Sequence, residues 1–126
     1  MVVGSGIDLI ETHRIQQSIE RYGDRFLQRI YTPGEIAYCK AKVRTSAESY
    51  AARFAAKEAA AKALGTGISR GVTWLEIEVR RLPGQPPQVH LTGRAASRAQ
   101  KMGVRHISLS ITHSRELAMA MVLMED

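Results

Sequence analysis

The chain of 126 residues has one cysteine, few aromatic residues and no long hydrophobic run. Because Cys39 stands alone, an intramolecular disulfide is impossible, which excludes a small disulfide-stapled secreted protein and favours a reducing cytoplasm. The apolar residues 117–124 fall far short of the roughly 20 that cross a bilayer. The amino-terminal segment lacks the cationic start of a signal peptide, and Asp8 interrupts it too early for an export core. We therefore expect no membrane association.

Negative charge is also scarce. Twelve acidic residues stand against 18 basic ones, so the formal net charge is +6 at pH 7 and the isoelectric point is near 9.9. This excess predicts an acidic partner, which could be nucleic acid, an anionic membrane, a polyphosphate cofactor or an acidic protein. The hydrophobic (44%) and charged (24%) fractions are typical of a globular protein. The length predicts a single domain over residues 1–126.

Hydrophobic periodicity and turn residues predict an α+β fold, in which a small antiparallel sheet packs with a long alanine-rich helix. That helix is predicted at 46–64, with Gly65 as its stop signal. Further helices are expected at 33–38 and 93–102, and in a segment that begins at Thr12 and bends or breaks at Gly23. Strands are predicted at 2–10, 72–82, 89–91, 106–112 and 117–124.

The pattern within the 72–82 strand is alternating. Its inward-facing residues should be Leu75, Ile77 and Val79, and its outward-facing residues Trp74, Glu76, Glu78 and Arg80. This alternation is typical of a strand with one face against a core and the other in solvent.

The long helix carries the first candidate chemistry. Glu58 and Lys62 are four residues apart and share a face, and Arg53 and Lys57 are expected as a cationic row beside them. An isolated pair of this kind is usually a surface salt bridge, which contributes little to stability. A functional site is the competing interpretation, because Phe54 lies on the line of Glu58, the neighbouring alanines allow close backbone approach and a glycine-rich loop follows.

Asp8 is the second candidate, because it interrupts an apolar strand where an unpaired carboxylate would be costly to bury. It could cap the first helix, or it could hold a cation. Magnesium is typically bound by one or two carboxylates together with substrate phosphates and water, and Asp8 and Glu58 could supply that pair. With Lys62 and the backbone amides of Gly65-Thr66-Gly67 nearby, the group would suit a pyrophosphate.

Two sequence blocks resemble a known family. They are GIDLIE at 6–11, followed by Arg14 and Ile15, and RFAAKEAAAKALG at 53–65. They resemble the signature blocks of the holo-[acyl-carrier-protein] synthases, the small phosphopantetheinyl transferases of bacterial fatty-acid synthesis. The similarity covers nearly the whole chain, including TPGE at 32–35, GTGI at 65–68, GQP at 84–86 and LSITHS at 109–114. Both blocks, in this order and at this spacing, make the resemblance highly specific.

The resemblance implies a 4′-phosphopantetheinyl transferase-like fold and a reaction. The 4′-phosphopantetheine arm of coenzyme A would pass to a serine of apo acyl carrier protein, with release of adenosine 3′,5′-bisphosphate. Asp8 and Glu58 would bind Mg²⁺ against the pyrophosphate, and Lys62 would neutralise phosphate charge during catalysis. We further hypothesise that Glu58, directly or through a metal-bound water, takes the serine proton.

The resemblance also implies a pocket for coenzyme A. Arg53 is a candidate for a phosphate of coenzyme A, and Gly65, Gly67 and Pro86 would shape the pocket, with ordinary helix-end and turn chemistry as the alternative. His113 is favoured as a nucleotide contact or turn residue, and an ordinary turn histidine is equally compatible. Gln85 stands where relatives often carry lysine, so we expect no phosphate contact from it. The remaining histidines, at 13, 90 and 106, show no zinc-ligand spacing.

The first helical segment gives a clue to the partner. Its arginines, at 14, 21, 25 and 29, form a basic row if the helix continues near Gly23, and the row borders an apolar stripe of Ile15, Ile19, Tyr22, Phe26 and Ile30. A solvated helix face is one interpretation. Docking of an acidic helical protein is the other, since charge steers encounter and apolar residues anchor a complex. The acyl carrier proteins implied by the resemblance are acidic and helical.

The resemblance finally implies a homotrimer with active sites at the subunit interfaces. Asp8 and Glu58 would come from one chain and part of the nucleotide pocket from its neighbour. Two other functional classes compete. A basic nucleic-acid-binding module would explain the charge, but the chain shows no helix-turn-helix, RNA-recognition or zinc-finger pattern and only one tryptophan and two phenylalanines. A non-catalytic oligomeric scaffold would leave Asp8 and the Glu58–Lys62 pair unexplained.

Overall fold

Five helices and five strands follow one another in a computed structural model that describes all residues from Met1 to Asp126. In chain order they are β1 (Val2–Glu11), α1 (Thr12–Tyr22), α2 (Asp24–Ile30), α3 (Pro33–Ala41), α4 (Ser46–Ala63), β2 (Ile77–Arg80), β3 (Gln88–Leu91), α5 (Gly93–Lys101), β4 (His106–His113) and β5 (Leu117–Glu125). Short 3-10 turns lie at Val43–Thr45 and Trp74–Glu76. None of the helices has the length and hydropathy that a membrane crossing requires.

The strands form two antiparallel sheets, which confirms the predicted α+β fold. The larger has the order β1-β5-β4, and the smaller is the β2-β3 pair. In the larger sheet Asp8 lies opposite Ala120, which in turn lies opposite Ile111. Asp8 and Ile111 therefore occupy one row on opposite edges of the sheet, and side chains in such a row point to the same face.

Helix α4 packs across one face of the larger sheet. Eight of its alanines are buried. Six of them share a core cluster with Ala120 and Val122 of β5, and the other two share a second cluster with Ala118. Gly4 and Gly6 allow β1 to lie close to α4. A Cβ at Gly4 would collide with the carbonyl oxygen of Ala63, and one at Gly6 with that of Ala59. The small residues on both sides thus let the α4 and β1 backbones lie almost in contact.

Helix α3 is joined to α4 and β2 by a buried ion pair. Thr32 and Glu35 form a capping box at the start of α3, with Pro33 at its first position, as the TPGE turn predicted. The same Glu35 carboxylate lies 2.6 Å from Lys57 Nζ and accepts a hydrogen bond from the Val79 amide. Both side chains of the pair are fully buried. One carboxylate therefore fixes three elements.

The first helical segment breaks at Gly23, as predicted, where a φ of 58° ends α1 and begins α2. The chain departs from the predicted elements at residues 72–82. The predicted 72–82 strand is only β2, because its first part forms a 3-10 turn closed by a Thr73–Glu76 capping box. Leu75, expected to face inward, is 47% exposed. Trp74, expected to face outward, is half-buried against Phe54, with ring centroids 4.9 Å apart.

The sheet face opposite α4 is apolar and exposed. It carries side chains from β1 and β5, namely Val3, Ile7, Leu9, Leu117, Met119 and Met121. The outward residues of β4 on the same face, Ser108, Ser110 and Thr112, are polar. An exposed apolar patch of this kind marks an interaction surface more often than a solvated face.

Candidate active site

Asp8, Glu58 and Lys62 lie together in a cavity of about 450 Å³, here called the carboxylate cavity. Asp8 comes from β1, and the other two residues lie one turn apart on α4. The Lys62 ammonium donates to Asp8 Oδ1 at 3.0 Å and to the Ile7 carbonyl oxygen at 2.9 Å. The other lining residues are Leu9, Ile10, Arg14, Ile15, Ser18, Phe26 and Phe54. The close approach of β1 to α4 thus brings together residues about fifty positions apart in the sequence.

The charges in this cavity favour a cation. Burial raises the pKa of Glu58, the neighbouring Asp8 carboxylate raises it further, and the Lys62 ammonium opposes both effects. Two carboxylates that repel each other attract a cation, and a carboxylate with a raised pKa is a stronger base. The site therefore offers cation binding and proton acceptance.

The two carboxylates also fit the implied magnesium ion. No group of three or more His, Cys, Asp and Glu side chains is arranged to hold a metal, so an ion here would have at most these two protein carboxylates. Magnesium is commonly held in this way, with substrate phosphates and water completing its shell. The donor set is thus compatible with an ion that binds together with a phosphate-bearing substrate.

Arg53, Pro86 and His113 meet in a second cavity of about 390 Å³, here called the arginine cavity. Its remaining lining residues are Tyr38, Ser49, Ala52, Arg81, Pro87, Leu109, Ser110 and Ile111. The Arg53 guanidinium stacks on the Tyr38 ring, with Cζ 3.7 Å from the ring centroid. His113 Nδ1 lies 3.7 Å from a carboxylate oxygen of Glu48. Gln85 does not line the cavity.

The predicted cationic row of Arg53 and Lys57 does not lie beside Glu58, and that expectation is wrong. Arg53 and Lys57 do share a face of α4, but this face packs against α3, where Lys57 is fully buried on Glu35. Arg53 and Glu58 are five residues apart, which places them about 140° apart around the helix. The two cavities therefore open on different sides of α4.

The backbone amides of Gly65-Thr66-Gly67, expected to face a pyrophosphate, donate hydrogen bonds to the end of α4 instead. Gly65 donates to the Lys62 carbonyl, and Thr66 and Gly67 both donate to the Ala61 carbonyl. These bonds satisfy the last carbonyls of α4, as glycine-rich helix ends commonly do. Gly65 and Gly67 have φ of 76° and 60°, so the turn needs glycine at both positions. Neither residue lines the two cavities described above.

The break at Gly23 also divides the predicted arginine row, so the continuous row is wrong. Arg25, Phe26, Arg29 and Tyr22 line a cavity of about 460 Å³ on α1 and α2. Arg14 instead lines the carboxylate cavity, and Arg21 stacks on Tyr22 at 5.3 Å. Phe26 lines both cavities, so the basic surface of α2 continues into the carboxylate cavity.

Two residues of the arginine cavity, Tyr38 and Arg81, were not predicted from the sequence. Tyr38 follows Glu35 by three residues on α3, so helical spacing places both side chains on one face. Arg53 and Lys57 likewise share a face of α4. The two helices therefore make two contacts side by side, Glu35 with Lys57 and Tyr38 with Arg53. Arg81 lies just beyond β2, and no sequence pattern indicated its role.

Comparison with known proteins identifies the family. The sequence matches the model of the 4′-phosphopantetheinyl transferase superfamily over residues 4–122. It is 54% identical over 126 residues to the holo-[acyl-carrier-protein] synthase of Koribacter versatilis and 56% identical over 126 residues to that of Solibacter usitatus. Both alignments cover 100% of each chain.

Solved structures agree with the sequence comparison. The holo-[acyl-carrier-protein] synthase of Helicobacter pylori, solved in complex with coenzyme A, is 32% identical, with a TM-score of 0.83 over 96% of this chain and 99% of that one. The enzyme of Neisseria meningitidis is also 32% identical and aligns over 100% of both chains, with a TM-score of 0.87. The resemblance carried by the two signature blocks is thus confirmed, and the chain belongs to the 4′-phosphopantetheinyl transferase superfamily.

Proposed function

We propose that the chain transfers 4′-phosphopantetheine from coenzyme A to a serine of apo acyl carrier protein. The observation that carries this proposal is the meeting of Asp8, Glu58 and Lys62 in the carboxylate cavity. The names of the relatives support it, as does the coenzyme A in the similar Helicobacter pylori structure. Because the implied carrier is an acyl carrier protein, the reaction would supply fatty-acid synthesis. A cytoplasmic location agrees with the free, buried Cys39.

In this reaction the serine oxygen forms a bond to the phosphorus that bears pantetheine. The bond from that phosphorus to the bridging oxygen of the pyrophosphate breaks, and adenosine 3′,5′-bisphosphate leaves. Glu58 takes the serine proton as the general base. Lys62 neutralises charge on the phosphates. Asp8 and Glu58 would hold Mg²⁺, which supplies further charge stabilisation when bound.

The arginine cavity binds the nucleotide part of coenzyme A in this proposal. Arg53 provides the charge for a phosphate, and Pro86 and His113 border the same space. Gly65 and Gly67 contribute through the shape of the loop after α4, because their amides are engaged with that helix. The volume lies in the range of pockets that enclose small ligands, roughly 300–1,000 Å³.

A homotrimer would join the two cavities. The carboxylate and arginine cavities lie on different sides of α4 within one chain, so a complete site formed from two neighbouring chains is the simplest arrangement. The apolar outer face on β1 and β5 supplies the surface for such contacts. Asp8 and Glu58 would then act on coenzyme A bound partly by the next subunit.

The basic surface on α1 and α2 receives the acidic carrier protein. Arg14, Arg21 and Arg25 would steer the carrier, and Phe26 would anchor it beside the carboxylate cavity. We expect Arg14→Glu with Arg21→Glu to raise KM for the carrier while coenzyme A binding is unchanged. Equal loss for both substrates would contradict this role.

The decisive experiment measures the mass of apo acyl carrier protein after incubation with the protein, Mg²⁺ and coenzyme A. We expect a magnesium-dependent gain of one phosphopantetheine, and its near-complete loss in Glu58→Gln. Glu116→Gln, in the exposed turn before β5, is the matched control and should convert normally. Near-normal conversion by Glu58→Gln would overturn both roles of Glu58. Salt-sensitive binding to DNA without a mass gain would favour the nucleic-acid-binding module.

A further inference from the structure

Arg53 is buried without a counter-charge. It is 5% exposed, and it takes part in none of the ion pairs of the chain. Its Nε is buried and has no hydrogen-bond partner. A buried guanidinium normally pairs with a carboxylate, because desolvation of an unpaired charge is costly. An arginine left in this state beside a cavity is suited to an anion from outside the chain.

The contact that holds Arg53 is an aromatic face. Its Cζ lies 3.7 Å from the centroid of the Tyr38 ring, which is the distance of close stacking. Lys42 Nζ lies 5.3 Å from the same centroid. A ring face attracts a guanidinium without accepting its N–H groups, whereas a carboxylate would occupy two of them. Stacking therefore fixes the plane of Arg53 and leaves its donors free.

Tyr38 is itself held in place by the helix that carries it. Glu35, one turn earlier on α3, forms the buried ion pair with Lys57, which lies one turn after Arg53 on α4. The capping box at Thr32 fixes the start of the same helix. Two parallel contacts, Glu35 with Lys57 and Tyr38 with Arg53, thus set the position of the ring against the guanidinium.

We propose that Tyr38 is a positioning residue, which orients Arg53 so that its free N–H groups meet a phosphate of the nucleotide half of coenzyme A. This inference rests on the proposed function and deepens its arginine cavity. Ser49 of α4 lines the same cavity, and a serine hydroxyl is suited to a phosphate oxygen. Leu109, Ile111 and Pro87 provide apolar wall for the nucleoside. Tyr38 touches no reacting atom and acts through Arg53.

The test is calorimetric binding of adenosine 3′,5′-bisphosphate to the intact protein. Tyr38→Leu should weaken binding about five- to thirtyfold, the range expected for a partly to fully desolvated cation–π contact. Tyr38→Phe keeps the ring face and should bind as the unchanged protein does. In steady-state assays, Tyr38→Leu should raise KM for coenzyme A with little change in kcat, because Glu58 and Lys62 lie in the other cavity.

A double-variant cycle separates orientation from simple packing. If Tyr38 acts through Arg53, then Arg53→Met should weaken binding, and adding Tyr38→Leu to it should cause almost no further loss. Additive losses would overturn the proposal, as would equal weakening by Tyr38→Phe and Tyr38→Leu. Unchanged binding by Tyr38→Leu would also overturn the proposal. Absence of binding and of transfer in the unsubstituted protein would instead refute the proposed function, so the two failures are distinguishable.

Discussion

Glycine at positions 4 and 6 determines how near strand β1 lies to helix α4. A side chain at either position would meet a carbonyl oxygen of α4, which belongs to rigid backbone and cannot rotate away. Asp8 is two residues beyond Gly6, and its carboxylate contacts Lys62 of that helix. Two residues without side chains therefore control the geometry of the carboxylate cavity.

Gly6→Ala should weaken both stability and catalysis. We expect a loss of about 1–3 kcal/mol in the free energy of unfolding, as for overpacked cores, because β1 must move away from α4. Urea denaturation measures that loss, and the carrier mass assay should show reduced transfer since Asp8 moves with the strand. Ser5→Ala, whose side chain is exposed on the same strand, is the control and should change neither. A Gly6→Ala variant with unchanged activity would show that the close approach is not needed.

Lys57 shows what residue spacing can and cannot predict. The four-residue spacing correctly placed Lys57 and Arg53 on one face of α4. It could not show which face is buried, because α4 is rich in alanine all round and has no apolar stripe to orient it. The contact with Glu35 on α3 determines which face is buried, and a lysine–glutamate pair 22 residues apart leaves no local pattern.

At the scale of elements, the Glu35 carboxylate organises the junction of α3, α4 and β2. It accepts from the Thr32 and Val79 amides and from Lys57 at once. Burial lowers the pKa of Lys57, and the adjacent Glu35 charge acts in the opposite direction. A pair of this kind keeps its charges only while both partners are present.

Lys57→Met should be strongly destabilising although methionine is nearly as long as lysine. It leaves the buried Glu35 carboxylate without a cation, and the cost of such a break is about 3–5 kcal/mol. Urea denaturation measures the loss. Lys40→Met on exposed α3 surface is the matched control, and a change within about 0.5 kcal/mol is expected there. Similar losses for both variants would contradict a structural role for the ion pair.

Elements with strong local signals were predicted well, and the exceptions have local causes. The helices α3, α4 and α5 and the strands β1, β3, β4 and β5 lie close to their predicted positions, because caps, glycine stops and alternation mark them. The 72–82 segment alternates like a strand, but the Thr73–Glu76 capping box folds its start into a turn. Local alternation did not distinguish these two outcomes.

At the scale of the whole molecule, one side of the larger sheet remains uncovered. The apolar side chains on β1 and β5 lie on the face opposite α4, where no element of the same chain packs. A small sheet that buries one face within the chain and exposes an apolar second face is typical of a subunit. This is the surface expected to bring neighbouring active-site halves together.

Met121→Lys should therefore weaken the assembly. A charge placed in the middle of the apolar face must be desolvated when subunits associate, so we expect sedimentation to show a smaller species. Transfer activity should fall in parallel, because each site would lose the part of the nucleotide pocket that the neighbouring subunit contributes. Val43→Lys, an exposed apolar residue away from the sheet, is the control. A single, unchanged sedimentation coefficient for both variants would refute the assembly proposed from this face.

The candidate site was predictable in part. The chemistry of Asp8, Glu58 and Lys62 could be inferred from residue types, and the structure brings all three together. The grouping of Arg53 with Pro86 and His113 came only from the family resemblance, since these residues lie on separate elements. The division into two cavities required the orientation of α4, which depends on tertiary packing.

Alanine brings no rotamer freedom into the interior between α4 and the larger sheet. Eight of its side chains are buried along that helix, and none of them loses side-chain entropy on folding. An interior of this kind also has few alternative packings, because methyl groups cannot switch rotamers to fill a gap. The separation of the two backbones that carry Asp8 and Glu58 then depends on no rotamer of the alanines between them, so we expect the proposed site to be insensitive to thermal repacking of the core.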